Sequence, residues 1–150
     1  MSIALATAAG VHKKDQERFN LAGDFTWRKI ENTTPSSELM VSHGGYDNSD
    51  VNKDINCMFP IDRIHELAAE GFIREEAGIP TIIIAALPPV VRQTGTPRAV
   101  APLVPMGANA GGPHNVEQQT QIVKATLEQL VEIQTPGKIV PLPFEYVAKI

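Results

Sequence analysis

Gly78-Ile79-Pro80-Thr81-Ile82-Ile83-Ile84-Ala85-Ala86-Leu87 is the stretch whose reading decides the fold. From Ile79 to Leu87 it is a β-branched run of strand length, the pattern of a strand buried on both faces of a parallel sheet. Upstream, Pro60 sits where a first helical turn tolerates proline. Asp62 complements the helix dipole, and Ile61, Ile64, Leu67 and Ala68 mark one face of a helix that should stop at Gly71. Downstream, Pro88 to His114 carries six of the twelve prolines and reads as a long irregular, Pro/Gly-rich segment, the usual form of a functional surface or an interface. Asn115 then caps a helix whose stripe is Ile122, Val123, Thr126, Leu127, Leu130 and Val131. The extended run from Lys138 to Val147 holds two prolines and suits an edge strand or an arm.

Toward the N-terminus, three further strands are expected: Ser2 to Ala9, closed by Gly10; Phe25 to Ile30, with partial alternation; and Leu39-Met40-Val41. The sum is an α/β fold, a parallel-type sheet with flanking helices in flavodoxin-like or Rossmann-like layers. At 150 residues, 43% of them hydrophobic, one domain spanning 1–150 is expected. A net charge of −4 without a cluster of Lys and Arg argues against nucleic acid or an anionic membrane as partner. The longest apolar run is too short for a bilayer span, and basic residues follow the N-terminal apolar stretch instead of preceding it, so a cytoplasmic protein is expected. A single cysteine, Cys57, excludes an internal disulfide, a Cys-rich zinc site and an iron–sulfur cluster within one chain.

The chemistry-bearing stretch is Ser42-His43-Gly44-Gly45-Tyr46-Asp47-Asn48-Ser49-Asp50, continuing to Asn56-Cys57. It reads as a long polar loop after a short strand, where ligands of open α/β sheets bind. His43-Gly44-Gly45 has two readings: a nest of backbone donors for an anion with His43 as acid or base, or a tight turn around a hydrogen-bonded histidine. No G-x-S-x-G accompanies it, so the serine-hydrolase reading of a His-Gly-Gly run fails. Asp47, Asp50 and Asp54 lack the offsets of a calcium loop and read as a solvated acidic stretch. Gly107 to Gly112 lacks the Lys-Ser/Thr of a phosphate loop. His12, His65 and His114 have no metal-ligand spacing, so no metal site is expected. Cys57, among Ile55, Met58 and Phe59, is read as inert core against the alternative of a reactive nucleophile.

Longer matched runs carry more than any of these motifs. Residues 4–12, 18–26, 40–48, 50–56, 58–63, 78–92, 95–111 and 137–143 resemble the selenoprotein B family of Stickland reductases, which act on glycine, sarcosine, betaine or D-proline, and within it the D-proline branch. Among these runs are Met40-Val41-Ser42-His43-Gly44-Gly45-Tyr46-Asp47-Asn48 and Gly107-Ala108-Asn109-Ala110-Gly111. The resemblance implies a subunit of a dithiol-dependent amino-acid reductase in amino-acid catabolism. A partner subunit with a pyruvoyl group activates the amine of D-proline. The selenol of this subunit opens the ring to 5-aminovalerate, and a dithiol reductant or electron-donor protein takes up the oxidising equivalents. No cofactor is expected in this chain itself. With the resemblance, His43, Tyr46, Asp47 and Asn48 are expected to line the selenol pocket, with Gly44 and Gly45 allowing close backbone approach; Pro88 to His114 is a candidate contact with the partner subunit, because its prolines stiffen an extended surface at low ordering cost.

One departure is plain. Family members carry a further segment with a Sec-x-x-Cys motif between the helix ending at Ile73 and the strand led by Gly78, and here Ile73 runs straight into Arg74. An internal gap is expected at that join. Its origin is residues closed up in the numbering, a sequence interrupted at the selenocysteine codon, or a deletion that leaves a catalytically inactive binding or assembly paralogue. No catalytic residue is therefore carried onto Cys57.

Overall fold

The structure is a computed structural model that describes residues 5–24, 26–72 and 81–147. Strand β1 (Val11–Lys13) pairs antiparallel with β2 (Leu39–Val41), Val11 facing Val41 and Lys13 facing Leu39. This hairpin-like pair departs from expectation in two ways. The first strand begins after Gly10 and not at Ser2, of which Ser2 to Ala4 lie outside the described residues. Ala6 to Ala8 are exposed, and the amide of Ala9 is taken by the Thr7 hydroxyl at 3.1 Å, so small apolar residues alone did not secure a buried ladder. The strand expected over Phe25 to Ile30 is also absent from the described residues 26–30. There the Asp24 carboxylate accepts from the Thr26 amide at 2.8 Å and the Gln16 amide donates to the Lys29 carbonyl at 3.0 Å, groups a ladder would have used.

The loop expected from Ser42 to Cys57 contains helix α1 (Ser49–Lys53) and a 3₁₀ turn over Ile55–Cys57. Val51, Ile55 and Cys57 point into a core with Val11, Leu39, Phe59 and Ile61. Helix α2 (Ile61–Ala69) follows, with Pro60 at its cap position. It ends as expected: Gly71 has φ +74°, its amide donates to the Ala68 carbonyl, and the Phe72 amide donates to the Leu67 carbonyl, the paired closure that needs a left-handed residue.

Among the described residues the second sheet is parallel and three-stranded, in the order β3 (Ile83–Ile84), β4 (Arg98–Leu103), β5 (Lys138–Glu145). Ile83 lies beside Ala99, and Ala99 beside Ile139. Thus the α/β class with a parallel sheet and flanking helices stands, whereas Leu39–Val41 belongs to the antiparallel pair. The run 79–87 forms only a two-residue strand within its described part, since Ile79 and Pro80 lie outside. The region 88–114 is not irregular throughout. Helix α3 (Pro88–Gln93) places its prolines in the first turn, where their missing N–H costs nothing, and β4 tolerates Pro102 because the register slips between Ala101 and Leu103. Among the described residues β5 is an edge strand, as its prolines require.

Helix α4 (Val116–Glu132) packs on β4, β5 and α2. Ile122, Val123, Thr126, Leu127 and Leu130 are buried, but Val131 is 65% exposed, outside the stripe. Asn115 caps it, its side-chain oxygen accepting from the Gln118 amide at 3.3 Å. Replacing Asn115 by Ala should cost about 1 kcal/mol. A lowered urea midpoint at unchanged slope is the expected readout.

Candidate functional site

The residues His43 to Asn48 form one hydrogen-bonded turn between β2 and α1. The Gly45 amide donates to His43 Nδ1 at 2.9 Å, which makes Nδ1 an acceptor and leaves the proton of the neutral ring on Nε2. A Cβ at Gly45 would lie 2.8 Å from His43 Cε1, so a side chain there would displace the ring. The ring stacks on Tyr46 at 4.5 Å between centroids and 30° between planes. Tyr46 donates to the Ala9 carbonyl at 2.9 Å, and Asn48 Nδ2 donates to the His43 carbonyl at 2.7 Å. Asn48 Oδ1 is buried without a partner. Asp47 accepts from the amide and the hydroxyl of Ser49 at 2.9 and 2.6 Å, and these bonds hold its carboxyl below the usual carboxylate range. The turn is thus held by its own polar groups, while Gly44, Gly45 and Asp47 face water.

Two other segments make its floor. Gly107, at φ +98°, follows β4, and a Cβ there would lie 2.7 Å from the Asp47 carbonyl and 3.0 Å from the Tyr46 ring. Only glycine admits that approach, so the loop after β4 fits beneath the turn. His12 on β1 is fully buried. Its Nδ1 donates to the Lys13 carbonyl at 2.8 Å, so its Nε2 accepts from the Ser42 hydroxyl at 2.9 Å and ties down the residue before His43. Sequence reading missed both. For Gly107 the six-residue small stretch was a signal without a partner; for His12 no local signal existed, because its partner lies thirty residues away.

Cys57 is fully buried, and its thiol donates to the Asp54 carbonyl at 2.6 Å. Burial, reinforced by the carboxylates of Asp54 and Asp50, pushes the thiol up to about 12, the property of an inert thiol. Tyr46 is also raised to about 12, by burial first and by the Cys57 thiol second. Tyr146 reaches about 12 because its hydroxyl donates to the Asp50 carboxylate. None of the three groups is ionised at neutral pH.

Asp54 is no solvated acid. Oδ2 accepts from the His114 amide at 2.9 Å and from Gln119 Nε2 at 2.6 Å, and Oδ1 accepts from the Asn56 amide and side chain at 3.0 and 3.1 Å. Burial raises its pKa, but these donors outweigh burial and the net shift is downward. A cleft of about 580 Å³ beside it is lined by Lys14, Lys53, Asp54, Asp62, Arg63 and His114 among others. A second, apolar groove of about 530 Å³ lies at Ala101, Leu103, Ile139 and Pro141. The residues His43 to Asn48 line neither.

The family model for the glycine/sarcosine/betaine reductase selenoprotein B matches residues 1–81. The chain belongs to this family. A relative, the D-proline reductase subunit gamma of Acetoanaerobium sticklandii, is 51% identical over 209 aligned positions, which take in all of this chain and 86% of the relative. With 150 residues here against 209 aligned positions, 59 positions of that relative have no counterpart. No solved structure matches. Membership of the selenoprotein B family makes this an oxidoreductase chain, and the turn around His43 lies within the matched residues. No helix among the described residues is long and apolar enough to cross a membrane.

Three outcomes follow from these groups. Cys57, Tyr46 and Tyr146 hold their protons in the folded state to about 12, while the unfolded chain loses them from their ordinary values near 9 and 10 upward. The folded state then binds more protons, so stability should fall as pH rises from about 9 to about 12. Thermal melts across that range should show it, and Cys57 should resist a thiol reagent at pH 8 until the chain unfolds. Asp54→Asn, which turns an amide toward the donors of His114 and Gln119, should cost about 2–4 kcal/mol in urea unfolding.

Proposed function

We propose that this chain is a subunit of D-proline reductase, acting with a pyruvoyl-containing partner subunit and a dithiol in the cytoplasm. The observation that carries the reading is the 51% identity to a D-proline reductase subunit gamma across the whole chain. In the reaction the Cα–N bond of the proline ring breaks, two electrons and two protons enter, 5-aminovalerate leaves, and the dithiol becomes a disulfide. The pyruvoyl group belongs to the partner in this reading, where it supplies capture of the amine and an electron sink, and no residue here is asked to hold it. The nucleophile comes from the selenocysteine segment that these 150 residues do not contain. Cys57, buried and protonated, does not replace it.

What this chain supplies is the turn at His43. Nδ1 is occupied by the Gly45 amide, so Nε2 is the nitrogen free to pass a proton to the departing ring nitrogen. The exposed Gly44 and Gly45 leave room for the substrate and the partner to approach the backbone. Tyr46 and Asp47 hold the ring and the start of α1 in place.

The assay is dithiol-dependent formation of 5-aminovalerate by the selenocysteine-containing chain in complex with its pyruvoyl partner. His43→Ala is expected to lower turnover about 10²-fold or more with the complex intact. Unchanged turnover would remove His43 from the site. Preferential reduction of glycine, sarcosine or betaine would overturn the substrate assignment, and a complete complex with no turnover on any of them would leave an assembly role.

A further inference from the structure

Residues 9–12, where the chain enters β1, hold the turn of His43 from both of its ends. On the far side the Tyr46 hydroxyl donates to the Ala9 carbonyl at 2.9 Å. On the near side the Ser42 amide donates to the Gly10 carbonyl at 2.9 Å. Gly10 has φ +71°, and a Cβ there would lie 2.1 Å from the Ser42 carbonyl oxygen and 3.6 Å from His43 Cβ. The backbone of Gly10 therefore sits against the root of the His43 side chain, an approach that only glycine allows. His12 supplies the third hold, through the bond from the Ser42 hydroxyl to its Nε2 at 2.9 Å.

The ring of His12 is fixed independently of Ser42. Its Nδ1 donates to the Lys13 carbonyl at 2.8 Å, a group that can only accept, which leaves Nε2 as the acceptor. Phe19 meets the ring edge-on, at 5.9 Å between centroids and 66° between planes, and the Arg28 guanidinium lies 4.5 Å over the Phe19 ring. A fully buried imidazole with both nitrogens bonded is a rigid post. His43 is held more lightly: its ring has the Gly45 amide and the Tyr46 stack, so the direction in which it leaves the chain is set by the backbone at Ser42. Displacing a reacting group by ~1 Å can cost ~10²-fold in rate. The geometry points to His12 as a positioning residue, which through the Ser42 hydroxyl fixes the backbone that sets the direction of the His43 ring. This inference rests on the reading of His43 as the group that passes a proton to the ring nitrogen, and one of its two readouts is independent of that reading.

The two nitrogens of His12 are separable by substitution. His12→Gln puts an amide oxygen near the place of Nε2 and keeps the acceptor for Ser42. His12→Asn keeps a donor near the place of Nδ1, for the Lys13 carbonyl, and leaves the Ser42 hydroxyl without its acceptor. Each loses one hydrogen bond, and each should lower the folded-to-unfolded ratio by about tenfold. Turnover should divide them. In the selenocysteine-containing chain with its pyruvoyl partner, His12→Asn should lower kcat about tenfold or more with KM within about twofold, while His12→Gln should stay within about threefold of the parent. Ser42→Ala should follow His12→Asn, and Ser42→Thr, which keeps the hydroxyl, should follow His12→Gln. The second readout is hydrogen exchange at the Gly45 amide, which should quicken in His12→Asn and Ser42→Ala and not in the other two. Equal kcat losses in His12→Asn and His12→Gln would overturn the proposal, and so would a Gly45 amide exchanging at the parent rate in Ser42→Ala. Where the His12 variants do not fold, the Ser42 pair decides by the same criteria. Full turnover in His43→Ala would remove His43 from the site, whereas the Gly45 exchange rates judge the hold of His12 on the turn whatever the turn does.

Discussion

The carboxylate of Asp54 is the pin on which the two halves of the molecule turn. It sits at the start of the 3₁₀ turn in the N-terminal half, and it accepts from the backbone of His114 and the side chain of Gln119 in the half that holds the parallel sheet. Gln119 is fully buried, and its remaining groups are used as well: Nε2 also donates to the Gly112 carbonyl at 3.0 Å, and Oε1 accepts from Arg63 at 3.1 Å. Hydrogen bonds to a charged acceptor are stronger than neutral ones, and this half-buried carboxylate is held by four of them, so the donors and the acceptor depend on one another. Asn56 extends the set, its side chain accepting from the Asp62 amide at 3.0 Å and capping α2 in place of a local residue.

From this pin the site follows. Once the 3₁₀ turn is fixed, Cys57 is fixed beside it, and its carbonyl accepts from the Ala110 amide at 2.7 Å. That bond brings the loop after β4 against the loop after β2, and Gly107 closes the contact by lacking a Cβ. The turn of His43 is thus built on two sheets at once, although its residues are contiguous in the chain. Its rigidity comes from satisfied polar groups, with Asn48 Oδ1 left buried and unpartnered.

Much of the fold was legible in local pattern. The helix over Ile61–Ala69 with its glycine stop, the Asn115 cap and the α4 stripe rest on short-range geometry, which a sequence displays openly. The parallel class was legible in Ile82-Ile83-Ile84 and its neighbours. What misled were signals that tertiary context overrides. Pro88-Pro89 and Pro97 to Pro105 read as breakers, yet the former open a helix and a register slip absorbs Pro102 in a central strand. The small apolar run before Gly10 read as a strand, yet its backbone found a side-chain partner instead.

The sequence by itself determined the periodic elements, the family and the contiguous candidate turn from His43 to Asn48, because each depends on residues close together in the chain or on long runs of identity. Only the tertiary structure decided which strands pair and in which sense, that Asp54 is a half-buried, fully hydrogen-bonded acceptor and not a solvated acid, and that His12 and Gly107 support the turn. The physical reason is that these outcomes depend on donors and surfaces brought together from distant positions: whether a polar group is satisfied, or a face covered, is a property of its neighbours in space and not of its own residue type.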